Sequence, residues 1–293
     1  MPLASPHVLA LAASGFVLGL VVGSFLNVVV HRLPQGASVV RPRSRCPSCG
    51  ATITARDNVP VLSFLWLGGR CRHCGTAIST RYPAVELATG VIFAGVLARH
   101  GLAPTTPLWL ALAAILLASA LIDFDHQIIP DELSLGGLVL GLAGMPVARH
   151  LAGVPWLEAT GDAALGALLG GGFLWAAGFA HARVCAALGR TFEHWPGEGE
   201  ELPRPGSLDY WTWFPGLGFG DVKLLAAIGA FVGPVGVLTV VGLSAVLGLA
   251  LGLAWMAVRG RAGAPFGFGP AIAAGALLWV LFPHLGRLLQ VGA

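Results

Sequence analysis

The sequence predicts an all-α polytopic membrane protein of about eight transmembrane helices with a small cytosolic insertion, and three observations lead there. Of 293 residues, 56% are apolar and only 11% charged, whereas a soluble surface needs about 25% charged residues. Apolar runs recur near the length that carries a helix across a bilayer, roughly 20 residues. The basic residues, of which Lys223 is the one lysine, crowd between the first two runs: Arg32, Arg41, Arg43, Arg45, Arg56, Arg70, Arg72 and Arg81. That cluster reads either as a nucleic-acid patch or as a cytosolic loop under the positive-inside rule; the flanking apolar runs favour the loop, and no nucleic-acid partner is expected.

The first run, His7 to Val30, has no Lys or Arg before it and arginines after it. A signal peptide has the opposite polarity, so a retained span with its N-terminus outside the cytosol is expected. Further spans are expected at 83–98, 104–122, 133–148, 162–184, 222–233, 235–258 and 266–286, after the first at 8–30. The stretch 222–233 is too short to cross unaided. Only Arg99, Arg149 and Arg287 then fall on the non-cytosolic side. The organisation is a first transmembrane helix at 1–30, a cytosolic loop domain at 31–82 and a transmembrane bundle at 83–293. Within the bundle, the Pro-, Gly- and Glu-rich stretch at about 185–221 reads as a flexible connector.

Four of the five cysteines form two pairs, Cys46-Pro47-Ser48-Cys49 and Cys71-Arg72-His73-Cys74, each followed by a glycine, Gly50 or Gly75. Two thiolates separated by two residues point at one ion across a tight turn, and two such knuckles complete a tetrahedral zinc site. Two disulfides or a redox pair are the alternatives, but disulfides do not persist in a reducing cytosol. Four protein ligands leave no open position, so the zinc is expected to be structural. His73 is a possible substitute ligand; Cys185, alone in an apolar stretch, reads as a packed small hydrophobe.

Acidic residues are scarce, which gives weight to their positions. Asp123 ends the third apolar run in Leu121-Ile122-Asp123-Phe124-Asp125, and Asp221 opens the sixth in Gly218-Phe219-Gly220-Asp221. Ionisable groups at membrane depth are costly and are functional candidates by default. Asp221 also reads as a helix cap, and Asp125 and Asp131 as solvated loop residues. Against those readings, Gly218 and Gly220 clear space for an extended peptide beside the carboxylate, and the chain offers no other catalytic set. Two adjacent carboxylates share a proton, so one can activate water while the other protonates the scissile carbonyl. The helix dipole makes Asp221, near an N-terminus, the base and Asp123, near a C-terminus, the acid.

At these residues the sequence resembles the type IV prepilin peptidase family, the GxGD-type intramembrane aspartic proteases. The match runs through Gly23-Ser24-Phe25-Leu26-Asn27, His31-Arg32-Leu33-Pro34, both cysteine knuckles, Arg81-Tyr82-Pro83-Ala84-Val85-Glu86, Pro130-Asp131, Gly218-Phe219-Gly220-Asp221 and Pro265-Phe266-Gly267-Phe268-Gly269-Pro270. The resemblance implies that Asp123 and Asp221 are the catalytic pair and that Asp125 and Asp131 support them. It further implies cleavage of the leader from type IV prepilins and type II secretion pseudopilins at the cytosolic face of the bacterial inner membrane. N-methylation of the new terminus from S-adenosylmethionine is implied too, although no glycine-rich nucleotide motif supports a donor site. Asn27 and Glu86 read as helix–helix hydrogen-bonding groups or as contacts to donor or peptide. An ion-coupled transporter or a zinc-dependent scaffold without catalysis are the rival readings; the first predicts acids near the midplane and symmetry between halves. Oligomeric state is not legible.

Overall fold

The computed structural model describes residues 5–190, 192, 195, 201–259 and 267–285. Among these residues there is no strand, only isolated β-bridges. The chain divides into two compact units, Met1–His126 and Gln127–Ala293.

In the first unit, helix α1 (Pro6–Arg32) begins at Ser5, whose hydroxyl accepts from the Val8 N–H at 3.4 Å, with proline in the first turn. It ends on His31 and Arg32, which suit the negative end of the helix dipole. Gly15, Gly19 and Gly23 recur every fourth residue and so share one face. A Cβ at these positions would lie 2.7 Å from the Phe93 carbonyl oxygen, 2.6 Å from that of Thr89 and 2.7 Å from Glu86 Cα. The face therefore lies directly on the backbone of a second helix, α3 (Arg81–His100). Between them sits the insertion, with one helical turn of its own, α2 (Leu62–Trp66). Helix α4 (Thr106–His126) completes the unit and fully buries Leu112, Ala113, Leu116 and Ile122.

The second unit holds α5 (Asp131–Leu151), α6 (Trp156–Ala187), the short α7 (Asp209–Thr212), α8 (Phe219–Arg259) and α9 (Gly269–Leu281). Helix α8 packs on α5, α6 and α9. Its contact with α6 is again between glycines: a Cβ on Gly166 would sit 2.1 Å from the Gly229 carbonyl oxygen, and one on Gly229 2.0 Å from that of Gly166. Gly141 of α5 makes similar room for Ala230 and Phe231.

Among the described residues, six helices, α1, α3, α4, α5, α6 and α8, are long and apolar enough to cross a membrane, and α9 is shorter. The expected spans 222–233 and 235–258 are the two halves of α8, separated at Gly233, whose φ of 73° and ψ of −179° leave the helical region just before Pro234. Pro234 lacks the N–H that a continuous helix would use there, and glycine accepts the left-handed φ. Taken on either side of Gly233, and with α9, the helical segments follow the eight expected spans in order. Residues 266 and 286, the ends of the last expected span, lie outside the described residues.

The α6–α8 contact is the most sensitive one. Gly166→Val is expected to destabilise the folded protein by about 1–3 kcal/mol or to prevent folding, since overpacking displaces backbone. Gly172→Ala, which meets nothing within 4 Å, is expected to be neutral. Thermal unfolding in lipid nanodiscs distinguishes the two.

Candidate active site and metal centre

The two cysteine knuckles are built alike. The Cys46 N–H donates to the Ala51 carbonyl at 2.9 Å and the Gly50 N–H to the Cys46 carbonyl at 2.9 Å. In the second knuckle the Cys71 N–H donates to Thr76 at 2.8 Å and the Gly75 N–H to Cys71 at 2.9 Å. Gly50 and Gly75 take φ of 69° and 71°, which explains the glycine after each pair. All four sulfurs lie within 4.8 Å of one another, with Cys46 and Cys74 Sγ at 3.8 Å. Zinc–sulfur bonds of about 2.3 Å put tetrahedral sulfurs roughly 3.8 Å apart, so the donor set fits zinc.

Charge within this cluster is uneven. Hydrogen bonds from the Cys49 and Ser48 N–H groups lower the pKa of the Cys46 thiol. The Thr76 side chain and backbone hold that of Cys74 down to about 6. For Cys49 the Ala51 N–H pulls downward, but burial and the neighbouring thiols outweigh it and raise the pKa to about 11. Metal binding therefore has to strip a proton from Cys49. A second tie braces the insertion: Arg72 Nε and Nη2 donate to Asp57 Oδ1 at 2.9 and 2.6 Å, holding that carboxyl below its usual range.

Two polar groups join this unit's membrane helices to what lies beside them. Asn27 Nδ2 of α1 donates to the Tyr82 carbonyl at the start of α3, at 3.2 Å. Glu86, buried on α3, accepts from the Val61 N–H at 2.7 Å. Its partner thus lies in the insertion, 25 residues earlier, and not on another membrane helix. Val61 has φ of 61°, a strained value for a β-branched residue, at the entry to α2.

The candidate catalytic carboxylates occupy the ends of helices. Asp123, 5% exposed, lies in the last turn of α4; Asp221, 8% exposed, lies in the first turn of α8. Two residues beyond Asp123, Asp125 forms a two-point ion pair with Arg81 of α3 at 2.9 and 2.5 Å. Two residues beyond Asp221, Lys223 is ion-paired with Asp131, the first residue of α5. Sequence reasoning does not single out Arg81 and Lys223 as positioning groups, because their partners lie 44 and 92 residues away. The Asp221 N–H donates to the Gly218 carbonyl at 3.1 Å, which turns the chain into α8. A Cβ on Gly218 would meet the Asp221 carboxylate at 3.4 Å, and one on Gly220 would meet Ile129 Cβ at 3.0 Å. The space left by Gly220 is therefore filled by Ile129, while Gly218 leaves room next to the carboxylate.

Parts of the stretch read as a flexible connector pack on α6, while most of 201–209 is exposed; residues 191, 193, 194 and 196–200 lie outside the described residues. Trp195 and Phe214 are buried with Ala182 and Cys185 of α6, where Cys185 is the packed small residue expected. Trp211 of α7 stacks on Phe179, Tyr210 meets the same ring edge-on, and the Trp175 Nε1–H donates to the Trp211 carbonyl at 2.9 Å. Aromatic area in a glycine- and proline-punctuated segment is what gives it this contact.

Residues 17–100 match the bacterial peptidase A24 N-terminal domain, and residues 110–253 match the type IV leader peptidase family. A prepilin leader peptidase/N-methyltransferase of Myxococcus xanthus is 38% identical over 249 residues, 85% of this chain and 64% of that relative. The protein of the same name from Burkholderia pseudomallei is 38% identical over 301 residues, covering 92% of this chain and 85% of the relative. That of Pseudomonas aeruginosa is 36% identical over 300 residues, covering 93% and 92%. No solved structure matches the chain.

Cys46→Ser with Cys49→Ser is expected to abolish bound zinc, measured as metal per protein after purification. Wild-type zinc affinity is expected to rise with pH through neutrality, because Cys49 must lose its proton to bind. A full complement of zinc in the double variant would contradict the site.

Proposed function

The chain belongs to the type IV leader peptidase family, and on that premise we propose that Asp123 and Asp221 are the carboxylate pair with which it cleaves prepilin leaders. The observation that carries the proposal is the burial of both acids at helix ends in a chain with few acids, while the neighbouring Asp125 and Asp131 are engaged by cations. The ends holding them face the cytosol if the N-terminus lies outside, which also places the insertion there and satisfies the positive-inside rule. The substrates are then type IV prepilins and type II secretion pseudopilins, whose leaders reach the membrane from that side.

In the reaction, ionised Asp221 takes a proton from water as the oxygen attacks the scissile carbonyl carbon. Asp123, protonated, gives its proton to the carbonyl oxygen. Collapse of the tetrahedral intermediate breaks the C–N bond; the amine leaves with a proton from Asp221, and Asp123 recovers its own from the hydroxyl. The helix dipoles favour these roles, with the negative charge on the acid at the N-terminal end of α8. Gly218 leaves space at Asp221 for the extended substrate backbone. Arg81 and Lys223 each tie one of these helix ends to a neighbouring helix of its own unit, at one remove from the reacting groups.

Zinc, held by Cys46, Cys49, Cys71 and Cys74, would fix the two knuckles as one unit and supply no step of hydrolysis, since four thiolates leave no open position. The N-methyl transfer in the relatives' name extends to this chain with S-adenosylmethionine as methyl donor. When bound, that donor would supply the methyl group for the freed N-terminal amine.

The test is incubation with a prepilin and mass measurement of its N-terminus, with and without S-adenosylmethionine. Asp123→Asn and Asp221→Asn are each expected to lower cleavage by roughly 10²–10⁴-fold while leaving unfolding temperature near wild type. The wild-type product is expected to gain one methyl group only with the donor present. Normal cleavage by either variant would remove that residue from the pair.

A further inference from the structure

Between its knuckles the insertion makes an excursion centred on α2, and this turn presents its apolar side chains outward. Leu62, Leu65 and Trp66 are 64%, 67% and 87% exposed, and Val59 just before them is also exposed. Grouped large apolar side chains on a surface mark an interaction site.

The position of α2 is set by the Val61–Glu86 bond. Glu86 stands five residues into α3, roughly 7.5 Å along its axis. The turn is therefore held beside the part of α3 that enters the bilayer, not beyond its end. Leu87 and Val91 of α3 are exposed apolar residues of a helix long and apolar enough to cross a membrane, so the turn is tethered to a helix that itself presents apolar surface. The strained Val61 backbone, held by the Glu86 carboxylate, fixes this placement. Charge agrees. Asp57 is the only acid between residues 31 and 82 and is taken by Arg72, whereas Arg43, Arg45, Arg56 and Arg70 are exposed.

We propose that α2 is an interfacial anchor: Leu62, Leu65 and Trp66 enter the boundary between headgroups and acyl chains, and the exposed arginines of the insertion meet anionic lipid headgroups. Trp beside apolar residues suits that boundary, and clustered Arg suits anionic lipid. The metal-binding insertion is in this way held against the bilayer. The tether to a helix that presents apolar surface and an excess of positive charge favour a lipid surface over a second copy of the chain or an apolar pilin segment.

The full-length protein in nanodiscs of phosphatidylethanolamine and phosphatidylglycerol, brominated on the upper acyl carbons, tests this. Subtracting the emission of Trp66→Phe from that of wild type isolates Trp66 among the nine tryptophans. Bromolipid is expected to quench most of that component and aqueous acrylamide little, and replacing phosphatidylglycerol by phosphatidylcholine should weaken the bromolipid quenching. Leu65→Glu should raise acrylamide access to Trp66 several-fold; should that variant misfold, the Trp66→Phe subtraction still decides. Quenching by acrylamide without quenching by bromolipid would place the turn in water and overturn the proposal. Protection from both quenchers would show a protein partner covering α2 and would overturn it equally.

Discussion

Backbone-to-backbone contact between helices is the constraint on which the rest of this structure depends. Lipid tails are as apolar as leucine, so nothing like the hydrophobic effect drives helices together in the bilayer; close packing of small residues does. In the first unit that role falls to Gly15, Gly19 and Gly23 against the backbone of α3, and in the second to Gly166 against Gly229. Both contacts place chemistry. The α1–α3 contact fixes the helix that carries Arg81 and Glu86. The α6–α8 contact, with Gly141 of α5 against Ala230 and Phe231, fixes the helix whose first turn carries Asp221.

On this frame the few charges are divided between holding and reacting. Asp125 is clamped by Arg81, and Lys223 by Asp131. Half-exposed pairs of this kind contribute only about 0.2–1 kcal/mol, so their consequence is positional: each ties a helix end to a neighbouring helix within its own unit. Glu86 does the same for the insertion through one backbone N–H. The acids kept buried at helix ends, Asp123 and Asp221, are the expensive ones, and that expense is what their proposed catalytic role rests on. The four knuckle cysteines are a separate set, arranged to hold a metal ion and compatible with structural zinc.

Much of this was legible in the amino-acid order because its signals are local. Apolar runs of bilayer length report helices, and Cys-x-x-Cys-Gly reports a knuckle turn that needs a left-handed glycine. Scarce acids next to glycines mark the candidate carboxylates. The remainder depends on partners distant in sequence or on local backbone geometry that composition does not express. The break between 222–233 and 235–258 is marked in the sequence by Pro234, whereas the left-handed φ of Gly233 that makes it is seen only in the backbone. Glu86 reads as a helix–helix group until its acceptor role toward Val61 is seen. Within the connector, the aromatic residues Trp211 and Phe214 pack on α6, a contact between residues more than 30 positions apart that composition does not express. Gly220 looked like open space for substrate, and Ile129 occupies it.

The claim at the centre is chemical: two acid side chains from different helices act on one tetrahedral carbon. Its most direct measurement is an experimental structure of the enzyme with a leader peptide in which a hydroxyethylene group replaces the scissile amide. The account predicts that the isostere hydroxyl is hydrogen-bonded by the carboxylates of both Asp123 and Asp221. A bound isostere whose hydroxyl touches neither, or only one with the other turned away, would contradict it.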